Sequence, residues 1–367
     1  MSESVFYPAF GNRPDRIVGR EQVINSILKG LQFAPGHRDR ATLLLGQRGT
    51  GKTALLLEIA DRASSAGFIT AHVTASTNML EEIIELVQVG GAPYVTEKKS
   101  KIKGFSAGAM GFSVGLTFSD EVRDNYGFRV KLSLLCDKLA ESGKGILILV
   151  DEVQSSSEAM RQLAITYQHL VGDGKNIAMC MAGLPSAISH VINDDVLTFL
   201  NRARKIRLEA LPLGEVGAYF GSVFQKLGVS ISASTLRLAA QATQGFPYLL
   251  QLVGYYLVEL SDETRELTSE HVRVAEEYAR QDFVETVILA TLNPLSEQDI
   301  AFLEAMSSDK QGISSTGDIA ERMSVSAGYV QQYRRRLLDA GVIASPKRGQ
   351  LEFTVPYLGE YLRGEAD

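Results

Sequence analysis

The sequence predicts an α/β fold: a doubly wound parallel sheet of five strands, followed by a helical domain and a winged helix-turn-helix domain. Three observations carry this. Short apolar strands alternate with helical spacing from residue 41 to residue 208. Within them, Leu43-Leu44-Leu45 runs through a glycine turn into a lysine and a hydroxyl that open a helix. The last segment reads as helix, turn, helix and then two short strands around a turn.

Composition bounds the rest. A chain of 367 residues with 45% apolar content suggests two or three domains around real cores. A net charge of −6 excludes a generally cationic nucleic-acid coat, so any contact with nucleic acid must be a local patch. Cys136 and Cys180 sit far apart in apolar patterns without metal spacing, and they read as buried thiols in a reducing compartment. The five histidines are scattered and show no ligand pairing. The start Met-Ser-Glu lacks a basic-then-apolar leader, and the longest aliphatic run, Ile146 to Val150, is far short of a membrane span. A cytoplasmic protein without a membrane partner is expected.

In chain order, residues 1–40 carry Ile17-Val18-Gly19-Arg20-Glu21 and an amphipathic helix from Glu21 to Leu31. The α/β domain is placed at 41–210. Thr42 to Leu45 is its first strand, and Gly46 to Thr53 fits G-x-x-x-x-G-K-[ST] without a mismatch. The glycines Gly46, Gly49 and Gly51 let successive N–H groups of Gly46, Gln47, Arg48, Gly49, Thr50 and Gly51 turn toward phosphate oxygens. Lys52 adds a mobile positive charge and Thr53 a hydroxyl for Mg²⁺, while the helix that follows through Ala54 brings its positive dipole end. An incidental glycine turn is the alternative, and the strand–loop–helix setting argues against it.

Phe68 to Thr74 is a second strand, followed by a helix over Asn78 to Val87. Residues 90–127 break the rhythm and read as an inserted hairpin, with a charged run Glu97-Lys98-Lys99-Ser100-Lys101 read as a solvated loop rather than a polyanion contact. A helix from Arg129 to Ser142 leads into the buried strand Gly145 to Val150, which ends in Asp151 and Glu152. At the carboxyl edge of such a sheet, Asp151 suits Mg²⁺ and Glu152 suits the deprotonation of an attacking water. Ile177 to Ala182 and Lys205 to Leu208 complete five strands.

Residues 211–290 are helical, interrupted by Gly245-Phe246-Pro247, and Asn293-Pro294 marks a boundary before the winged helix domain at 291–367. There a helix from Ala327 to Asp339 places Val330, Tyr333 and Leu337 on its core face and Gly328, Gln332 and Arg335 opposite. Gln332, Arg335 and Arg336, with Lys347 and Arg348 on the following turn, are the predicted contacts to duplex DNA. From 290 to 367 there are eight basic and eleven acidic residues, so an acidic module that docks a protein partner fits almost equally well.

These residues resemble the AAA+ superfamily, in particular the branch shared by archaeal-type ATPases, replication-initiator ATPases and STAND signalling ATPases. Ile17 to Glu21 looks like the entry motif beside the adenine, Gly46 to Thr53 like Walker A, Leu147 to Glu152 like Walker B, and Gly245-Phe246-Pro247 like the G-x-P motif of the lid. The resemblance implies ATP or ADP with Mg²⁺, and an ATP phosphohydrolase with Lys52 and Glu152 as catalytic residues. It also implies base-side contacts from Val18, Gly19, Arg20 and Pro247, and an Arg202 that reaches a neighbouring subunit's γ-phosphate in an ATP-bound homo-oligomer. Two departures stand out: Ala182-Gly183-Leu184-Pro185 lacks a sensor asparagine, and Pro247 stands where initiators carry a sensor arginine. Slow or partner-dependent hydrolysis follows from them.

The leading expectation is a nucleotide-driven switch whose winged helix binds DNA. A DNA-loading or transposition-type ATPase and a STAND-like scaffold with a protein partner are the alternatives. A small-molecule kinase leaves the lid and winged helix without a task.

Overall fold

The computed structural model describes residues 5–9, 13–95, 112–154, 157–194, 197–261, 265–309 and 312–365. The chain forms two compact units. One holds residues 22–45 and 55–207; the other holds residues 1–21, 46–54 and 208–367.

The first unit is the α/β layer structure that the alternating pattern predicts. Helix α1 (Glu21–Leu31) buries Ile24, Ile27 and Leu31 on one face, as its spacing requires. The strands are β1 (Ala41–Leu45), β2 (Phe68–Thr74), the hairpin pair β3 (Phe112–Val114) and β4 (Thr117–Phe118), β5 (Gly145–Val153), β6 (Ile177–Gly183) and β7 (Arg204–Arg207). Between them run α2 (Lys52–Ser65), α3 (Met79–Gly91), α4 (Asp120–Asn125), α5 (Phe128–Ala140), α6 (Glu158–Gly172) and α7 (Pro185–Ile192). The main sheet is five-stranded, in the order β2-β5-β6-β1-β7, and every pairing in it is parallel. A parallel sheet covered on both faces needs apolar residues at nearly every position. Ile146 to Val150 are at most 1% exposed, and each such burial stabilises the fold by about 1.5–3 kcal/mol.

Register sets the functional edge. Leu45 and Val153 both align with Gly183, so β1, β5 and β6 end level, and β2 ends at Thr74 opposite Asp151, two residues short of the end of β5. The hairpin stacks Phe112 on Phe118 at 5.2 Å. The charged run at residues 97–101 lies outside the described residues. Both cysteines are buried, and desolvation pushes the Cys136 thiol up to about 12 and raises that of Cys180.

The second unit is mostly helical. It contains α8 (Leu213–Leu227), β8 (Ser230–Ile231), α9 (Ala233–Ala242), α10 (Pro247–Ser261), β9 (Glu266–Leu267) and α11 (Ser269–Phe283). A one-turn π segment, Val284–Ile288, carries α11 into α12 (Leu289–Leu292). Then come α13 (Glu297–Ser307), β10 (Ile313–Ser315), α14 (Thr316–Arg322), α15 (Ala327–Ala340), β11 (Ile343–Ala344), β12 (Gln350–Phe353) and α16 (Leu358–Leu362), with the three strands forming an antiparallel sheet in the order β10-β12-β11.

Local chemistry fixes these boundaries. Ser296 and Asp299 form a capping box at the start of α13, Ser326 caps α15, and Gly341 ends α15 in the left-handed conformation. One apolar core runs from Phe6 through α8–α11 to Leu337, Leu351 and Leu358. Phe6 is fully buried, edge-on to Phe220, and lies where a Cβ on Gly254 would come within 2.4 Å of its ring. Glycine at position 254 is therefore what lets the N-terminal segment seat on α10.

Candidate functional site

The phosphate loop leaves β1 after Leu45 and closes on itself. Lys52 Nζ donates to the carbonyls of Gly46 (3.0 Å) and Gln47 (2.7 Å), and Thr50 Oγ1 donates to the Gln47 carbonyl at 2.8 Å. Gly49 stands at φ +76°, a conformation that costs a residue with a Cβ. A Cβ there would also lie 2.9 Å from the Phe246 ring, so the position is closed on conformational and steric grounds alike. The Gly49 carbonyl accepts from Tyr248 N–H at 3.1 Å, which ties the loop to the start of α10. Gly51, at φ +78°, faces the Pro247 ring.

Beside the loop is a cavity of about 190 Å³. Its apolar wall includes Val18, Leu211, Pro247 and Leu250, and Gly49, Thr50, Gly51 and Ala54 form its loop side. The sequence-predicted Val18, Arg20 and Pro247 thus meet at one cavity with the phosphate loop. Arg20 is 7% exposed, its Nη2 donates to the Glu209 carbonyl at 2.6 Å, and burial lowers its pKa against the pull of the Glu209 carboxylate. Gly19 does not line the cavity; it packs against Pro212 and Leu211.

Sequence reasoning missed Tyr7, Tyr248 and Gln251, which also line the cavity. Gln251 lies four residues after Pro247 on α10, so helical spacing from the proline would have found it. Tyr7 carries no such signal, because its place depends on Phe6 reaching Gly254.

Gln47 does something a phosphate-loop residue is not required to do. Its side chain is buried, and Nε2 donates to the carbonyl of Ala340, the last residue of α15, at 3.0 Å. Arg48 is exposed.

In the other unit, β5 ends as the sequence predicts, with two carboxylates in different settings. Asp151 is 4% exposed, whereas Glu152 is exposed. The pairing of β5 with β6 is irregular between Val150 and Val153, Glu152 adopts φ +52°, and its N–H donates to Asp151 Oδ1 at 2.8 Å. A bulge with a left-handed non-glycine residue re-aims a side chain at some cost in strain, a pattern that concentrates at working sites. Among the described residues no group of three or more histidines, cysteines and carboxylates could hold a metal. That is compatible with Mg²⁺ at a phosphate loop, where one carboxylate, one hydroxyl, phosphate oxygens and water suffice. Thr53, in the first turn of α2 and exposed, and Asp151 are residues of the right type.

Arg202 ends a short 3₁₀ turn before β7, exposed and with no hydrogen-bond or ion-pair partner among the described residues. On α15, Gln332 and Arg335 are exposed as predicted, and so are Lys347 and Arg348 on the turn before β12. Arg336 is different: its Nη2 bonds Asp299 Oδ2 at 2.7 Å, and that aspartate is 1% exposed.

A parallel sheet carrying a glycine loop with a lysine and a strand-ending acid pair defines a P-loop nucleoside-triphosphatase fold. Residues 16–178 match the AAA ATPase domain family, so this stretch of the chain carries an AAA-type domain. Residues 285–362 match a domain family of unknown function. Comparison with curated proteins finds no match. Among solved structures, the ORC2 protein of Aeropyrum pernix, in ADPNP–ADP complexes, matches at TM-score 0.68 and 16% identity over 98% of this chain and 96% of that one. A Walker-type ATPase of Pyrococcus abyssi matches at TM-score 0.66 and 16% identity over 96% and 97%. At that identity the likeness shows the shared fold. Among the described residues no helix is long and apolar enough to cross a membrane.

Proposed function

We propose that the chain is an ATP-controlled molecular switch in which the phosphate loop reports its state to the C-terminal winged helix, and that the winged helix binds duplex DNA. The observation that carries this reading is the hydrogen bond from Gln47 to Ala340. The Gln47 carbonyl accepts from Lys52, and its side chain holds the end of α15. A nucleotide that draws Lys52 toward its β- and γ-phosphates alters the loop at the residue that touches the winged helix. A second path supports the same coupling. Phe246, against Gly49, stands 5.5 Å from Phe283, which lies 6.3 Å from Tyr357 at the start of α16.

ATP with Mg²⁺ fits the residues: the glycine cradle and Lys52 for phosphates, the adjoining cavity for the base, Thr53 and Asp151 for the metal, and Glu152 for the water. Arg202, exposed and without a partner among the described residues, suits a homo-oligomer in which it completes a neighbour's site. The domain reading at 41–210, 211–290 and 291–367 belongs to this proposal, as does the cytoplasmic setting. The acidic balance of residues 290–367 favours a second reading, a STAND-like scaffold whose winged helix docks a protein.

The test measures ATP affinity, turnover and oligomer size of the full chain with and without duplex DNA, beside Lys52→Ala. The switch reading expects Lys52-dependent ATP binding and a response to DNA. ATP binding with oligomers indifferent to DNA supports the scaffold, and ATP affinity unaltered by Lys52→Ala in a folded protein overturns the site itself.

A further inference from the structure

We infer that Gln251 reads the base of the bound nucleotide, offering one hydrogen-bond donor whose direction is set by the N-terminal segment. This rests on the nucleotide reading of the cavity. Gln251 lines that cavity one helical turn beyond Pro247, and its Oε1 accepts from the backbone N–H of Tyr7 at 3.1 Å. An amide oxygen held by a backbone N–H cannot exchange places with its own NH₂ without setting donor against donor. The carboxamide is therefore fixed, and Nε2 has no acceptor among the described residues. What fixes Tyr7 is its neighbour Phe6, fully buried against Gly254 on the same helix.

Other polar groups of the lining are committed or lie toward solvent: Arg20 is bound to the Glu209 carbonyl and the Thr50 hydroxyl to the Gln47 carbonyl, while Arg16 and Tyr7 are exposed and Tyr248 is half-buried. Val18, Leu211, Pro247 and Leu250 are apolar. In such a cavity a flat ring is held by apolar surfaces and oriented by very few polar groups. Adenine presents acceptor nitrogens at ring positions 1, 3 and 7, and the fixed Gln251 NH₂ donor matches one of them. Gln251 is thus a specificity-determining residue for a purine with an acceptor at that edge.

The experiment titrates ATP and its 1-deaza, 3-deaza and 7-deaza analogues into the full-length protein, into Gln251→Leu and into Gln251→Glu. One analogue should bind the unaltered protein about tenfold more weakly than ATP. Gln251→Leu should weaken ATP by a similar factor and bind ATP and that analogue equally, because the two losses remove the same bond. Gln251→Glu keeps an oxygen for Tyr7 N–H but loses the donor, so it should also weaken ATP while the N-terminal segment stays protected from protease. If Gln251 only holds Tyr7, Gln251→Glu binds ATP as the parent does and Gln251→Leu loses affinity equally for all four nucleotides; either result overturns the inference. Absence of Lys52-dependent ATP binding overturns the nucleotide reading instead, so the two failures are told apart.

Discussion

Gln47, in the phosphate loop, donates from Nε2 to the main-chain carbonyl of Ala340, nearly three hundred residues later, at 3.0 Å. The bond joins the loop to the last turn of α15, where carbonyls have no helical partner of their own. Removing the donor with Gln47→Ala should cost about 1 kcal/mol of local stability at that junction. Amide hydrogen exchange at Gly341 and Val342 should then quicken, with exchange in the strands of the parallel sheet unchanged. Unchanged exchange at those two amides would show that the bond carries no coupling.

The acid pair at the end of β5 makes a separate prediction. Glu152 is exposed on a bulge at φ +52°, whereas Asp151 is buried beneath it. Glu152→Gln keeps shape and removes a base, so ATP affinity should hold while turnover falls by about a hundredfold or more. Turnover at the parent rate would assign the base elsewhere.

Much of this was legible in the chain, and what was not has physical causes. Period-two and period-3.6 patterns gave β2 at Phe68–Thr74 and α1 at Glu21–Leu31 to the residue, because one-sided or complete burial leaves its mark on every position of an element. The glycine loop at residues 46–53 was legible because its glycines, lysine and hydroxyl stand at a fixed spacing between a strand and a helix. Gln47's partner, the role of Tyr7 and the ion pair of Arg336 were not, since each depends on segments distant in sequence meeting in space. The bulge at Glu152 was hidden for a different reason: the strand reads Val-Asp-Glu-Val, and nothing in those residue types calls for a left-handed backbone.

Arg336 illustrates the cost of reading a charge as a contact. Its partner Asp299 is 1% exposed, caps α13 through Ser296, and has a second oxygen, Oδ1, with no hydrogen-bond partner among the described residues. Arg336→Ala strands a buried carboxylate and should destabilise the C-terminal module by about 1–3 kcal/mol. Thermal unfolding of Arg336→Ala, Asp299→Asn and the double variant checks this, because the losses should be clearly less than additive. Additive losses would mean that the pair contributes little.

That ion pair also decides how DNA binding has to be tested. With Arg336 committed to Asp299, the exposed cations left on this face are Arg335 on α15 and Lys347 and Arg348 on the turn, and Asp339 lies 4.0 Å from Arg335 and offsets part of its charge. The segment from 290 to 367 is net acidic, so attraction to a duplex must be local and confined to few phosphates. About three contacts give a slope of log affinity against log salt of roughly −3, weak enough to vanish at high ionic strength. Replacing Arg335, Lys347 and Arg348 together by alanine should flatten that slope toward zero and leave thermal stability within about 0.5 kcal/mol of the parent, since all three are exposed. Gln332→Ala should instead leave the slope alone and alter preference among sequences, because a neutral amide on the same helix face can read a base edge but releases no counterion. If the ATP-loaded parent shows no salt-sensitive binding to duplex DNA at low ionic strength, these cations serve another purpose and the protein-docking reading takes their place.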